Sequence, residues 1–152
     1  MRIGIGYDAH FLDEGRQLVL GGEVIPFEKG LLGHSDADVL VHAVMDALLG
    51  AAGKGDIGRH FPETDQIYKD ISSLHMLDKV REIILPYSVV NVDATIVAQR
   101  PKLFDHLPLM ATNIANTLKI SQDSVNVKAT TEEGMGFTGN GQGMAAHAVC
   151  LI

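Results

Sequence analysis

The chain has one cysteine, few basic residues and no long apolar run, and each shortage excludes a class of protein. Cys150 is the only cysteine among 152 residues, so no disulfide can form within the chain, and we expect a reducing compartment. Lysine and arginine number 12 against 19 aspartates and glutamates, which gives a net charge of −7. Because proteins that bind nucleic acid or membrane surfaces need clustered cations, we expect no nucleic-acid partner and no membrane partner. No apolar run approaches the roughly 18 residues of a membrane-spanning helix, and the N-terminus lacks the apolar region of a signal peptide, so we expect a cytoplasmic protein.

The sequence also lacks internal repeats and low-complexity linkers, which favours a single domain over residues 1–152. The pattern predicts, in order, a strand, a hairpin with a glycine turn, two helices, a strand, a third helix and two more strands. This order predicts an α+β fold, with a ferredoxin-like β-sheet and helices packed on one face. The other face of such a sheet needs burial, for which packing against copies of the same chain is the usual solution.

The longest apolar segment, a predicted helix, carries a stripe of polar residues. Asp38, His42 and Asp46 recur at a spacing of four, which puts their side chains on one helical face. We expect Ser35 or Asp36 to cap this helix. The apolar residues are numerous enough to enclose the polar stripe, and enclosed polar groups need partners. A solvated stripe is the competing interpretation, and for this helix alone the two are equally supported.

The predicted first strand, Arg2 to His10, brings further metal-binding side-chain types to one face. Alternation places Asp8 and His10 on the same face as Gly4 and Gly6, and the glycines leave room above that face. Taken alone, this pair is more simply two exposed polar residues at a strand end.

A glycine-rich stretch, Lys128 to Gly143, lies between the last two predicted strands, Val125 to Thr130 and Met144 to Ile152. Hydroxyls and free N–H groups there can hold phosphate oxygens, and a carboxylate can hold the magnesium that accompanies them. The residues at the base of the stretch that offer these groups are Thr130, Thr131, Glu132 and Glu133. In isolation, a plain hairpin connection between the two strands would be slightly favoured.

Four blocks of sequence together resemble one enzyme family. They are GYDAH from Gly6, IPFEKGLLGHSDADVLVHAVMDALLGAAGKGDIGRHFPETD from Ile25, AQRPKL from Ala98 and NVKATTEEGMGFTG from Asn126. In this order and at these separations they are similar to the 2-C-methyl-D-erythritol 2,4-cyclodiphosphate synthases of the non-mevalonate isoprenoid pathway.

The resemblance covers nearly the whole chain. It implies a phosphorus-oxygen lyase that cyclises 4-diphosphocytidyl-2-C-methyl-D-erythritol 2-phosphate, a cytidine diphosphate-type substrate, and releases CMP. It also implies a cytoplasmic location in a bacterium, or a plastid-type chain in a eukaryote.

The resemblance further implies a homotrimer with active sites at subunit interfaces and two metal sites. Asp8, His10 and His42 would bind Zn²⁺, and Glu133 would help to bind Mg²⁺ or Mn²⁺ through the substrate phosphates. Three protein ligands leave the fourth zinc position open for a phosphate oxygen. Asp46, one helical turn after His42, is our own expectation for the residue that orients the imidazole.

The same resemblance implies which positions meet the substrate. Catalytic roles fall on His34, Thr131 and Glu133. Substrate contacts fall on two ligands of the first strand, the segment before the polar helix, the loop after it, a segment that reads cytosine and the glycine-rich stretch: Asp8, His10, His34, Ser35, Asp56, Ile57, Gly58, Glu63, Asp65, Ala98, Lys102, Leu103, Phe104, Thr130, Thr131, Glu132, Glu133 and Phe137.

Two positions depart from the family pattern. Asn140 stands where many members have arginine, and His147 stands where many have glutamate. In those members the pair lines a cavity on the threefold axis that can hold a phosphorylated isoprenoid. Asn140 brings no positive charge to such a cavity, and none of the expected metal ligands is affected.

Two other functions remain open. A zinc-dependent phosphohydrolase or phosphodiesterase would need the same Asp, His and His ligands, with water in the open position. A noncatalytic trimeric ligand-binding protein is the second alternative, although every metal-binding position carries a competent ligand.

Overall fold

A five-stranded mixed β-sheet forms the centre of the computed structural model, which describes residues 1–152. The strands of the whole chain are β1 (Ile3–Glu14), β2 (Leu18–Leu20), β3 (Glu23–Ile25), β4 (Lys29–Leu31), β5 (Asn91–Val97), β6 (Val125–Thr130) and β7 (Gly143–Leu151). The order in the large sheet is β4-β1-β7-β5-β6, and only β5 and β6 pair in parallel. The predicted hairpin is present as β2 and β3, and its turn uses Gly21 and Gly22 at φ values of 57° and 73°.

Five helices accompany the sheet, and they confirm the α+β class. They are α1 (Val39–Ala52), α2 (Ile57–His60), α3 (Ser73–Ile83), α4 (Leu107–Leu118) and α5 (Gly136–Gly139). The element order differs from a ferredoxin-like unit, because α4 carries the chain from β5 to a parallel neighbour, β6. The hairpin interpretation of the glycine-rich stretch is also wrong, since β5 lies between β6 and β7 in the sheet. None of the helices has the length and hydropathy needed to cross a membrane.

The first strand and the first helix lie backbone against backbone. A Cβ atom added to Gly6 would come 1.9 Å from the carbonyl oxygen of Ala43, and one added to Gly4 would come 1.9 Å from that of Ala47. The room that the two glycines leave is therefore filled by α1 itself. This close approach brings His42, next to Ala43 in the helix, to the strand that carries the other predicted ligands.

The helix begins at Val39, directly after Asp38, so the predicted caps Ser35 and Asp36 are wrong. Asp38 is the N-cap, and its carboxylate accepts the backbone N–H of Val41 at 3.1 Å. It also accepts the N–H groups of Gly21 at 3.0 Å and Gly22 at 2.7 Å, although the residue is fully buried. Asp38 therefore joins the β2–β3 turn to the start of α1, and it is not a solvated member of the polar stripe.

The opposite face of β1 and β7 is apolar and uncovered within the chain. Ile3 and Ile5 are each 73% exposed, and Tyr7 and Val149 are also exposed. These four side chains, which we call the apolar strip, lie on the face of β1 and β7 turned away from the core. Exposed apolar surface of this kind on a sheet marks a contact site for another protein surface.

Candidate active site

Three predicted ligand atoms meet at one point between β1 and α1. Asp8 Oδ2 lies 2.8 Å from His10 Nε2 and 3.0 Å from His42 Nδ1, and the two ring nitrogens are 3.2 Å apart. They form the only group of three or more histidine, cysteine or acidic side chains in the chain that is placed to hold a metal ion. The resemblance named these three residues, and folding brings the strand pair to the helix residue.

The spacing of these atoms fits a tetrahedral zinc ion. Ligands at the usual Zn–N and Zn–O distances of about 2.0–2.1 Å lie about 3.3 Å from one another at tetrahedral angles. The observed separations of 2.8 to 3.2 Å need only a small opening to reach that value. One carboxylate and two imidazoles also form a common donor set for this metal, and the three residues leave one position free.

Hydrogen bonding around the cluster favours a charged Asp8. Partial burial by itself would raise the pKa of Asp8, but hydrogen bonds from His10 and His42 outweigh it and hold the pKa well below its usual range. Burial would lower the pKa of His10, but the Asp8 carboxylate, together with smaller contributions from Leu32 and Glu63, raises it overall. His10 Nδ1 donates to the backbone oxygen of Leu32 at 2.9 Å, which leaves Nε2 facing the cluster.

The expectation that Asp46 orients His42 is wrong. Asp46 Oδ1 accepts the backbone N–H of Ile57 at 2.8 Å, so it holds the start of α2. The Nε2 atom of His42 instead meets two hydroxyls, Ser73 Oγ at 3.0 Å and Ser35 Oγ at 3.2 Å. Sequence reasoning did not find Ser73, because it lies 31 positions after His42 and no local pattern connects the two.

A cavity lies over the three ligand atoms and brings together many of the predicted substrate positions. Besides the ligands it is lined by His34, Ser35, Ile57, Gly58 and Glu63. The lining residues that the sequence did not indicate are Phe61, Tyr68 and Met76. They are apolar or aromatic side chains without a recognisable motif, so their place in the cavity follows only from the fold.

Two acidic residues of this region have local structural roles. Asp56 is the N-cap of α2, and its side chain accepts the N–H of Arg59 at 3.0 Å. Asp65 caps a short 3-10 turn through the N–H of Ile67 at 3.1 Å, and its backbone oxygen lies 3.2 Å from His34 Nε2. Neither carboxylate lines the cavity in the single chain.

A second cavity lies near the ends of β5 and β6 and contains the predicted cytosine-reading segment. It is lined by Ala98, Gln99, Pro101, Lys102, Leu103, Phe104, Leu107, Ala129, Thr130 and Thr131. The two cavities share no residue. Most of the predicted substrate positions therefore line one or the other of two cavities that are separate within one chain.

The remaining predicted residues lie near the base and tip of the glycine-rich stretch. Glu133 has a φ of 51°, an uncommon value for a residue with a side chain, and its Oε1 accepts the Thr131 hydroxyl at 3.2 Å. Glu132 accepts a hydrogen bond from the Thr138 hydroxyl. Phe137 lines a different shallow cavity beside Tyr7 and on the same face of the sheet.

The two positions that depart from the family pattern have different neighbours within the chain. Asn140 lines a cavity with Lys29 and Arg100, whereas the ring of His147 lies 4.9 Å from that of Tyr7. His147 does not line the cavity that contains Asn140.

Comparison with known proteins identifies close relatives. The model of the YgbB family matches residues 1–152. A curated 2-C-methyl-D-erythritol 2,4-cyclodiphosphate synthase from Clostridium perfringens is 59% identical over 154 residues, covering 100% of this chain and 99% of its own length.

Solved structures with the same fold include a CDP complex. A 2C-methyl-D-erythritol-2,4-cyclodiphosphate synthase in its CDP-bound form superposes with a TM-score of 0.89 at 35% identity, with 99% of both chains covered. The bifunctional IspDF from Campylobacter jejuni superposes with a TM-score of 0.94 at 42% identity. This chain is covered to 98% in that match and spans 41% of the bifunctional chain.

Proposed function

Because the chain belongs to the YgbB family, with 2-C-methyl-D-erythritol 2,4-cyclodiphosphate synthases as its relatives, we propose that it catalyses the cyclisation that names those enzymes. The substrate is 4-diphosphocytidyl-2-C-methyl-D-erythritol 2-phosphate, and the products are the 2,4-cyclodiphosphate and CMP, which makes the enzyme a phosphorus-oxygen lyase. The observation that carries the proposal is the convergence of Asp8, His10 and His42 beneath a cavity lined by His34 and Ser35.

Two metal sites belong to the proposal. Asp8, His10 and His42 would hold Zn²⁺, and Glu133 would help to hold Mg²⁺ or Mn²⁺ with the substrate diphosphate. When bound, these ions would reduce the repulsion between two anionic phosphates and stabilise the leaving group. The strained backbone at Glu133 supports a functional role for its carboxylate, since such strain clusters at working sites.

The reaction needs positioning more than proton transfer. The 2-phosphate of the substrate attacks the β-phosphorus, a new P–O bond forms, and the bond to CMP breaks. A phosphate monoester has its second pKa near 6, so the nucleophile is already ionised at neutral pH and no general base is required. His34, Ser35 and the Thr131 hydroxyl would hold the phosphates, while Ile57 and Gly58 would meet the erythritol part. Holding both ends of one flexible substrate supplies the proximity that the reaction needs.

A homotrimer would complete the site. The cavity over the metal ligands and the cavity that holds Ala98, Lys102 and Phe104 are separate within one chain. In the assembly that we propose, the second cavity of one copy adjoins the first cavity of its neighbour, and together they form one active site. The second cavity would read cytosine, and the first would hold the phosphates. The apolar strip supports such packing, because it leaves apolar surface that an assembly would bury.

The decisive experiment is a phosphorus NMR assay with the cytidyl substrate, Zn²⁺ and Mg²⁺. We expect CMP and the cyclic diphosphate; CMP with a linear diphosphate would indicate the hydrolase instead. No turnover by the fully metallated protein, despite ligand binding, would indicate the noncatalytic binding protein.

His42→Ala should lower the rate at least ~100-fold, and Glu133→Ala should lower it in a manner that added Mg²⁺ does not restore. His75→Ala is the matched control, because His75 is exposed on α3 and does not line the cavity over the three ligands. Full activity of His42→Ala without zinc would contradict the zinc assignment.

A further inference from the structure

The Nε2 atom of His42, on the side of the ring away from the cluster, is held by a second chain of hydrogen bonds. It lies 3.0 Å from Ser73 Oγ, and the Ser73 hydroxyl in turn bonds to the carboxylate of Asp36. Ser73 is fully buried and His42 is buried, so water does not compete for these groups. We propose that Ser73, held by Asp36, is a positioning residue for the metal site that fixes the orientation of the His42 ring. This inference rests on the metal site of the proposed function.

The direction of each hydrogen bond follows from the chemistry of its members. A carboxylate can only accept, so the Ser73 hydroxyl donates its proton to Asp36. The lone pairs of Ser73 Oγ then face His42 Nε2, which must donate. The Nδ1 atom, which lies 3.0 Å from Asp8 Oδ2, is on the ligand side of the ring and would supply its lone pair to a bound metal ion, while the Nε2 proton points to Ser73. The bond to Ser73 therefore holds the His42 ring in the orientation that a ligand needs.

The Ser73 end of the chain is rigid because Asp36 holds it in two places. Asp36 Oδ2 accepts the backbone N–H of Ser73 at 2.9 Å, in addition to the bond with the hydroxyl. The backbone N–H of Asp36 donates to the oxygen of Ile71 at 3.1 Å. The start of α3 and the segment before α1 are thus joined at the point where Ser73 meets His42. Ser35 Oγ, at 3.2 Å from the same Nε2 atom, is a weaker second acceptor.

The test is zinc affinity rather than turnover. Removing the residue that hydrogen-bonds to a metal-ligating histidine weakens metal binding by about 10- to 100-fold. We expect Ser73→Ala to weaken zinc binding about tenfold, the lower end of that range, because Ser35 remains as an acceptor. Zinc affinity is measured by competition with a chromophoric chelator on metal-free protein. Ser72→Ala is the matched control: Ser72 is the neighbouring serine, it is exposed, and its side chain makes no capping hydrogen bond.

A second readout separates positioning from general support of α3. Nitrogen-15 NMR of the zinc-loaded protein reports whether the Nε2–H group of His42 is hydrogen-bonded and shielded from water. We expect an Nε2–H signal that exchanges slowly with water in the wild type and faster exchange in Ser73→Ala. A purely structural role would lower the melting temperature of the metal-free variant but would leave the zinc affinity and the His42 signal as in the wild type. That result would overturn the proposal.

Two further outcomes are distinguishable. Absence of zinc binding by the wild type would contradict the metal site of the proposed function, while the exchange of the His42 Nε2–H signal in the metal-free protein would still report on Ser73. If Ser73→Ala does not fold, Asp36→Asn decides through the same two readouts, because it removes the charge that orients the Ser73 hydroxyl and leaves Ser73 in place. An unchanged zinc affinity and an unchanged exchange rate of the His42 Nε2–H group in Asp36→Asn would then overturn the proposal.

Discussion

Asp38 is a fully buried carboxyl group that joins three backbone N–H donors from two parts of the chain. Burial raises its pKa to about 6, with a smaller contribution from the nearby charge of Asp36, and the three hydrogen bonds only partly oppose this. The folded protein therefore keeps a proton on Asp38 at pH values where the unfolded chain has released it. Its ionisation costs stability, even though its hydrogen bonds organise the start of α1.

The raised pKa of Asp38 predicts a pH dependence of stability with a definite sign. Between pH ~4 and pH ~6 the folded state binds more protons at this site than the unfolded state, so the contribution of Asp38 to the free energy of unfolding falls as the pH rises. Above pH ~6 the contribution is constant. Denaturant unfolding of the wild type and Asp38→Asn at a series of pH values measures it, as the difference between the two proteins.

The exposed Asp123 is the control for this experiment. The difference between the wild type and Asp123→Asn should not show the fall that Asp38→Asn reveals. A stability difference for Asp38→Asn that rises across the same window would mean that the hydrogen bonds outweigh burial.

Individual residues of the site could be predicted only where a family motif carried them. The three metal-ligand positions were named on the resemblance, and the structure brings them together. Asp46 was misplaced because a spacing of four gives a shared helix face but not the group that each side chain reaches. Ser73 was missed because its contact with His42 is made between distant parts of the chain.

At the scale of elements, the contact between β1 and α1 depends on glycine at two strand positions. Gly6→Ala should destabilise the protein by more than ~3 kcal/mol and weaken zinc binding, because the new Cβ would meet the α1 backbone at 1.9 Å. Gly50→Ala is the matched substitution within α1. A Cβ there meets nothing closer than 3.9 Å, so we expect a gain of up to ~1 kcal/mol from helix propensity.

Urea unfolding followed by circular dichroism measures both changes. A Gly6→Ala protein as stable as the wild type would show that the strand and helix can move apart without cost, contrary to the close contact described above. Loss of stability in Gly50→Ala would point to a role of that position outside the helix.

Helices were predicted more accurately than strand pairing. The second and third predicted helices are confirmed as α3 and α4, since prolines mark their ends: Pro86 follows α3, and Pro108 lies in the first turn of α4. The parallel pairing of β5 with β6 was not predicted, because alternation identifies a strand but does not identify its neighbour.

At the scale of the whole molecule, the apolar strip predicts self-association. We expect light scattering coupled to gel filtration to give three times the monomer mass for the wild type. Ile5→Glu should lower this mass, because it would place a charge in an apolar contact, and it should reduce turnover if the site is shared between copies.

Val24→Glu provides the control for Ile5→Glu. Val24 is also exposed, at 52%, but it lies on the separate β2–β3 hairpin. Its substitution should leave the mass unchanged. A monomeric wild type with full activity would contradict the proposed division of the site between copies.

The division of the predicted substrate positions into two cavities was not foreseeable from the sequence. Order along the chain places the cytosine-reading segment between the metal-ligand helix and the glycine-rich stretch, and nothing in that order separates it from the ligands in space. The separation follows from the strand order, which puts β7 and β5 between β1 and the edge strand β6 that ends in Thr130.

The backbone contact at Gly4 and Gly6 also bears on how this protein can change over time. The gap between the strand that carries Asp8 and His10 and the helix that carries His42 is set there by main-chain atoms and the small side chain of Ala51. A substitution at a core position such as Leu48 can alter packing on other faces of α1 without inserting a side chain into that gap. Core residues on the other faces of α1 can therefore change during evolution while Asp8, His10 and His42 keep their spacing.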